Sequence, residues 1–456
     1  MTFQGNAQVL IANVQKQTMG FLQKLFAELD CYRLILVQDH GEVLDDSSEK
    51  YHPALIIVDS QSAVEQAAEW VQLLKMTYPV PLIVIHGPDY PIDFSLFKKN
   101  GADRLIHFHY DREFIIDLIL ELAPPHFSNR IPLAALSPIS FDELHPEMET
   151  NFNVYAHLPG NQKTILLGRS GSYLDPRLLK KTKDSKQNLY FLKTETKQFL
   201  EYARTAISMH NSEDAVAMTE KLLRSKNMIF NIMSEFFNTQ GNDFEAGKKI
   251  LERCRKILTA YELLEKRTPE KAFARIAMLS GQARSFYQDA IAVSNYSSLI
   301  GQILGKSEEE IETLALAGLL HNIGLSFVPE YLPGDDWTLL PQEAKERFKK
   351  YPEKSVFMVK TQRVPLPPDV TQAILQHQEL PNGTGFPSRL KSFQICEEAK
   401  IVNLALRIQD LTGLIGNKPR MTFKSAIDLI STEVKEGFSP HDLILTMNVL
   451  NLAKAL

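Results

Sequence analysis

Residues 8–122 alternate five short apolar runs with four helical patterns, and this alternation restricts the first part of the chain to one kind of fold. The runs cover residues 9–12, 34–37, 54–58, 82–85 and 104–106. The helical patterns cover 19–29, 63–76, 94–100 and 112–122. Runs separated by helices cannot pair as hairpins. They demand crossovers, so a mainly parallel sheet covered on both faces is expected. Chemistry in such sheets gathers at the C-terminal ends of the strands.

The pattern then changes twice. Leu122-Ala123-Pro124-Pro125 closes the first segment, and a polar, proline-containing linker is expected over 124–138. Residues 139–200 carry strand-like runs at 152–158, 164–167 and 189–192, around a helix at 176–181 capped by Asp175 with Pro176 in its first turn. This is expected to be a small β-rich module. Its basic residues Arg177, Lys180, Lys181, Lys183 and Lys186 read as a solvated helix face. Gly168-Arg169-Ser170-Gly171 reads as a turn. From 201 to 456 the chain is helix after helix. Ser307 and Glu310 form a capping box, Gly324 is expected to end that helix, and Pro368 opens another that Pro381 stops. The stretch 215–266 is long and amphipathic, with Phe230, Met233, Phe236 and Phe237 clustered. Core packing is one reading of it and a homodimer interface the other.

Composition narrows the function classes. A net charge of -5 argues against a general nucleic-acid binder. The apolar runs are far too short to span a membrane, and the first ten residues do not have the form of a signal peptide. Cys31, Cys254 and Cys396 lie far apart, as reduced thiols in a cytoplasmic protein would.

The first segment, residues 1–123, resembles the receiver domain of response regulators, which has a flavodoxin-like fold. Asp59 closes the third run in Ala-Leu-Ile-Ile-Val-Asp, where receivers keep the phosphoacceptor, and Gly101-Ala102-Asp103 resembles the turn before the fifth strand. The rest of the site departs. Asn13 and Val14 stand in place of the acidic pair, His86 in place of Thr or Ser, and Phe108 and His109 in place of Lys. A single carboxylate holds Mg²⁺ weakly, and phosphoryl transfer needs cations around the moving oxygens. The resemblance therefore implies a pseudo-receiver used for docking or dimerisation. Phosphorylation at Asp59 is the alternative, and a turn-capping role for Asp59 a third reading.

The helical segment resembles the HD-GYP phosphodiesterases between about 285 and 425. His321-Asn322-Ile323-Gly324 stands where that family has His-Asp-Ile-Gly. His377-Gln378-Glu379-Leu380-Pro381-Asn382-Gly383-Thr384-Gly385-Phe386-Pro387 stands where it has His-His-Glu and Asp-Gly-x-Gly-Tyr-Pro. The family hydrolyses cyclic di-GMP with Fe or Mn ions bridged by a carboxylate and histidines. Carried over residue by residue, the upstream Glu falls near Ser285 and the first His near Asp289. The ligand His is kept as His321, but its Asp is Asn322, and the Lys after the motif is Leu325. The next His is Tyr351. His377 is kept, its pair is Gln378, and the late Asp is Leu406. Asn322 cannot share a charge between cations, and Tyr and Leu do not repair the set. The resemblance implies a pseudoenzyme with no metal cofactor. His321, His377 and Asp289 are the weak candidates for a mononuclear site, and core histidines the plain alternative. The turn Asn382, Gly383, Gly385, Phe386, Pro387 keeps the family's rim. With Lys391 and Lys418 it is the expected contact for a GGDEF-type or other signalling protein, or for cyclic di-GMP. An active phosphodiesterase with altered ligands stays open beside this reading.

Overall fold

The computed structural model describes residues 7–202 and 286–435, each with short breaks, 244–262, and the single residues Thr205 and Leu445. The amphipathic stretch with Phe230, Met233, Phe236 and Phe237, and also Ser285, Phe108, His109 and Lys418, lie outside the described residues.

The first segment is a five-stranded parallel sheet. Its strands are β1 (Ala7–Ala12), β2 (Tyr32–Val37), β3 (Pro53–Asp59), β4 (Leu82–His86) and β5 (Arg104–His107), in the order β2-β1-β3-β4-β5. The helices between and after them are α1 (Lys16–Leu29), α2 (Gly41–Leu44), α3 (Val64–Thr77), α4 (Phe94–Lys99) and α5 (Arg112–Leu122). Because helices cover the sheet, its central strands are apolar on both faces. Val9, Leu10, Ile11 and Ala12 are fully buried, as are Leu82, Ile83, Val84 and Ile85. This doubly wound strand order reverses between β1 and β3, which puts the C-terminal ends of those two strands on one crevice.

The middle segment holds a four-stranded antiparallel sheet, β6 (Leu136–Ile139), β8 (Val154–Leu158), β9 (Lys163–Gly168) and β11 (Leu189–Leu192), in the order β6-β11-β8-β9. A two-stranded ribbon joins β7 (Glu149–Thr150) to β10 (Ser172–Tyr173). Helix α6 (Pro176–Asp184) opens as expected, with the Asp175 carboxylate accepting from the Arg177 amide at 2.8 Å. Two boundaries need correction. The expected linker 124–138 ends early, because Leu136-Ser137-Pro138-Ile139 pairs with β11. Pro138 suggested a linker, but β6 is an edge strand, where a missing N–H leaves no neighbour unpaired. At the other end, Phe199 and Tyr202 pack on Phe152 and Phe191, so the module runs past residue 200.

The C-terminal segment is helical: α7 (Phe244–Glu262), α8 (Phe286–Ile303), α9 (Glu308–Leu320), α10 (Gln342–Lys349), α11 (Tyr351–Thr361), α12 (Pro368–Gln376), α13 (Glu397–Thr412) and α14 (Phe423–Lys435). Helix α9 starts on the expected capping box. The Ser307 hydroxyl accepts from the Glu310 amide, and the Glu310 carboxylate accepts from the Ser307 amide. Its residues Leu314–Leu320 are all buried, so α9 is the central helix of this segment rather than a half-exposed one.

Gly324 does not end α9. The helix stops at Leu320, and a 3₁₀ turn over Ile323–Phe327 follows. Gly324 is required for close approach: a methyl group there would clash with the Tyr351 carbonyl and the Ser355 amide. Gly324→Ala is therefore expected to lower stability by about 3 kcal/mol, read by urea denaturation, because backbone cannot yield as a side chain can.

Candidate functional site

Two helices end on the same device. The last carbonyls of any helix lack an intrahelical partner. His321 follows the last residue of α9, and its Nδ1–H donates to the Gly318 carbonyl at 2.7 Å. His377 follows the last residue of α12, and its Nδ1–H donates to the Ile374 carbonyl at 2.6 Å. A carbonyl only accepts, so each bond fixes Nδ1 as the protonated nitrogen and leaves Nε2 with the lone pair. The two rings meet edge to face, 5.2 Å apart. Both are buried, at 2% and 0% exposure. Burial lowers His321 to about 4, with the Gly318 bond and the nearby Asp289 partly opposing it. Burial, and then the neighbouring His321, lower His377 to about 3. Both imidazoles are neutral at pH 7.

The lone pair of His377 is occupied. Tyr351 opens α11, and its hydroxyl lies 2.6 Å from His377 Nε2. Burial pushes the phenol well above its ordinary range, so the hydroxyl keeps its proton and donates it to the imidazole. Gln378 Nε2 donates to the same hydroxyl at 2.7 Å. Asn403, on α13, donates to the His377 carbonyl at 2.7 Å.

Asn322 follows His321 in the chain and is 1% exposed. Its Nδ2 donates to the Phe286 carbonyl at 2.7 Å, and its Oδ1 is buried with no hydrogen-bond partner among the described residues. Asp289 is buried on α8, and its Oδ1 accepts from Gln409 Nε2 at 3.0 Å. Leu406 packs half-buried against the core. Ser355 bridges the region by donating to the His321 carbonyl and accepting from the Gly324 amide. The structure thus brings together His321, Asn322, Tyr351, His377 and Gln378. Among the described residues no group of three or more His, Cys, Asp or Glu side chains comes together to hold a metal ion. Ser355, Asn403 and Gln409 were not foreseen. Each is a polar residue on an apolar helix face, and that is the one signal the sequence offered.

The rim turn is built on the residues that follow His377. Glu379 is 2% exposed, and its carboxylate accepts from the Ser388 amide at 2.5 Å and the Leu390 amide at 2.8 Å. Phe386 N donates to the Gln378 carbonyl at 3.1 Å. Asn382 Oδ1 accepts from the Thr384 amide and hydroxyl, and Gly383 takes φ 76°. The Phe386 ring packs against Trp337, Phe348 and Tyr351. Pro387 is half-buried, and Lys391 is exposed and bridged to Asn382.

Asp59 ends β3 fully buried. Its Oδ2 accepts from the Gln15 amide at 3.1 Å, and its carbonyl accepts from Asn13 Nδ2 at 2.8 Å. Asn13 takes φ 54°, which lays the β1–α1 loop across the strand end. His86 Nδ1 lies 3.0 Å from the Ser60 hydroxyl. No helix among the described residues is long and apolar enough to cross a membrane. In the middle module, Arg177, Lys180, Lys181 and Lys183 are exposed on α6, and Gly168–Gly171 is a turn with Gly171 at φ 78°.

Residues 269–441 match a family model described as HD domain. Over 154 residues, 33% of this chain, the sequence is 26% identical to the cyclic di-GMP phosphodiesterase PdeB of Borreliella burgdorferi, and the match spans 39% of that relative. Among solved structures, Bd1817, a HDG"Y"P protein from Bdellovibrio bacteriovorus, shares 20% identity with a TM-score of 0.41, over 70% of this chain and 99% of that one. The HD domain of the L. monocytogenes phosphodiesterase PgpH shares 15% with a TM-score of 0.27, over 37% and 89%. The C-terminal region therefore carries an HD domain homologous to a cyclic di-GMP phosphodiesterase.

Proposed function

We propose that this chain is a non-catalytic signalling protein of the cyclic di-GMP network, in which a degenerate HD-GYP-like domain and a pseudo-receiver act by docking protein partners. The observation that carries this reading is the Tyr351 hydroxyl, 2.6 Å from His377 Nε2. It fills the lone pair that a metal would need. The remaining donors do not fit a divalent centre. Asn322 is neutral and offers one carbonyl oxygen, and the Asp289 carboxylate is engaged by Gln409. A divalent site of the catalytic kind takes three or more protein ligands. Cyclic di-GMP is disfavoured as the ligand of the centre, since His321, Asn322, Tyr351 and His377 are each 2% exposed or less. The outward rim from Asn382 to Lys391 is the surface left for a GGDEF-type or other signalling partner.

Protein purified without chelator is expected to carry no stoichiometric Fe or Mn and to leave cyclic di-GMP unhydrolysed with Mn²⁺ supplied. Calorimetric titration of cyclic di-GMP is expected to give no saturable heat. Bound metal with turnover would overturn the reading in favour of an active phosphodiesterase. Saturable binding without turnover would turn the chain into a nucleotide receptor and direct attention to Lys391.

The N-terminal domain fits the same reading. Asp59 is fully buried and holds the Gln15 amide, so its carboxylate closes the β1–α1 loop instead of facing a phosphodonor. Acetyl phosphate with Mg²⁺ is expected to leave the intact mass unchanged. A gain of one phosphoryl group that Asp59→Asn abolishes would restore the phosphorylation-gated alternative.

A further inference from the structure

We infer that Tyr351 is a positioning residue whose hydroxyl ties the start of α11 to the end of α12 and sets the rim turn 382–391 through Gln378. The inference rests on the non-catalytic reading above.

Three consecutive residues carry the connection. His377 Nε2 accepts from the Tyr351 hydroxyl, which joins the end of α12 to the start of α11. Gln378 donates its side-chain amide to that hydroxyl, and its backbone carbonyl receives the Phe386 amide. Glu379 then clasps the amides of Ser388 and Leu390. The turn lies directly on this segment, for a methyl group at Gly385 would clash with the backbone of residues 378–380. Gln378 therefore touches both the buried hydroxyl and the turn by hydrogen bonds. A second, apolar route runs parallel to it, because the Phe386 ring packs 6.3 Å from the Tyr351 ring.

The competing account is a self-sufficient turn, held by Glu379 and by the Asn382 bonds to Thr384. The two accounts separate on one substitution. Tyr351→Phe keeps the ring, and so the apolar route, while it removes the hydroxyl. It strands the Gln378 amide without its acceptor and the buried His377 Nε2 without its donor. Buried groups left unpaired open locally, so the turn is expected to sample open states about tenfold more often.

The experiment is hydrogen exchange followed by mass spectrometry on the full chain, comparing wild type, Tyr351→Phe and Gln378→Met, each with and without chelator. The expected result is about tenfold faster exchange in peptides spanning 382–391 for both variants, beyond any change in α8 and α9. Peptides of α8 and α9 report global opening, which a merely structural role would move equally. Equal acceleration everywhere overturns the inference, as does an unmoved turn. Acceleration by Tyr351→Phe without acceleration by Gln378→Met overturns the route through Gln378. If chelator speeds the turn in the wild type, a metal is the tie, and both the inference and the non-catalytic reading fall. If chelator has no effect and Tyr351→Phe moves nothing, the inference falls alone.

Discussion

A chain carrying Asn322→Asp, Tyr351→His and Gln378→His together is expected to bind Mn²⁺ at least about a hundredfold more tightly than the wild type, because it gains ligands, where changes to the groups behind the ligands already shift affinity by about 10–100-fold. The scaffold for this already exists. The Gly318 and Ile374 carbonyls hold the Nδ1–H groups of His321 and His377, so both Nε2 atoms are fixed as ligating nitrogens. Outer bonds of this kind orient metal-binding histidines. The wild type lacks the vacancy and the charge. Tyr351→His removes the hydroxyl that occupies His377 Nε2, and Asn322→Asp supplies an anionic oxygen at a site that is 1% exposed. A carboxylate so deeply buried is costly unless paired. The triple variant should therefore be less stable than the wild type without metal, and its melting temperature should climb as Mn²⁺ is added, as mass action requires of any ligand that binds only the folded state. The wild type should show no such climb. A melting temperature in the variant that ignores Mn²⁺ would mean that the centre has drifted too far for three residues to restore, or that Tyr351 was never the obstacle. Tyr351→His alone is expected to fall short, since neutral donors leave the charge of the ion uncompensated.

The N-terminal sheet was legible because its central strands are buried on both faces and so read as unbroken apolar runs. All five lie within two residues of their expected ends. Strand β6 was hidden by Pro138, which signals a linker unless the strand is known to be an edge. Strands β7 and β10, two residues each, are too short for alternation to register. The histidine and turn motifs of the helical domain could be placed because they come in a fixed order. Their consequences could not. Tyr351 reads in sequence as a missing ligand, whereas in the fold its hydroxyl joins His377 to Gln378. Gln409 lies 120 residues from Asp289 and would pass for one polar residue on an otherwise apolar helix. Pairings between positions so far apart depend on tertiary packing, which no local pattern encodes.

The same two histidines make the HD domain sensitive to mild acid. In the unfolded chain each titrates near 6.5, whereas burial lowers His321 to about 4 and His377 to about 3 in the fold. Between these values the unfolded chain binds protons that the folded chain refuses, so stability falls with falling pH. The contribution is complete above pH 6.5 and is lost as pH drops through the window from 6.5 to 4 for His321, and on towards 3 for His377. Each pH unit between the folded and unfolded titration points is worth about 1.4 kcal/mol, so His321 alone accounts for about 3 kcal/mol. The two contributions do not simply add, because His321 is itself one of the causes that lower His377. Glu310 acts in a different window: held down to about 2 by its bonds to Ser307 and Lys306, it loses its contribution only as pH falls below about 4.5. Burial raises the Glu195 carboxyl and lowers His157 in the middle module, so it is the difference between wild type and a histidine variant, read by urea denaturation, that assigns the loss between pH 7.5 and pH 5. A loss of stability of about 2 kcal/mol or more is expected over that interval for the wild type. His377→Gln can keep a donor to the Ile374 carbonyl but cannot take up a proton, so its slope should be shallower. An equal slope in wild type and variant would mean that His377 is not buried neutral. The Tyr351 hydroxyl would then be donating to no lone pair there, and the structural case against a metal would lose its main support.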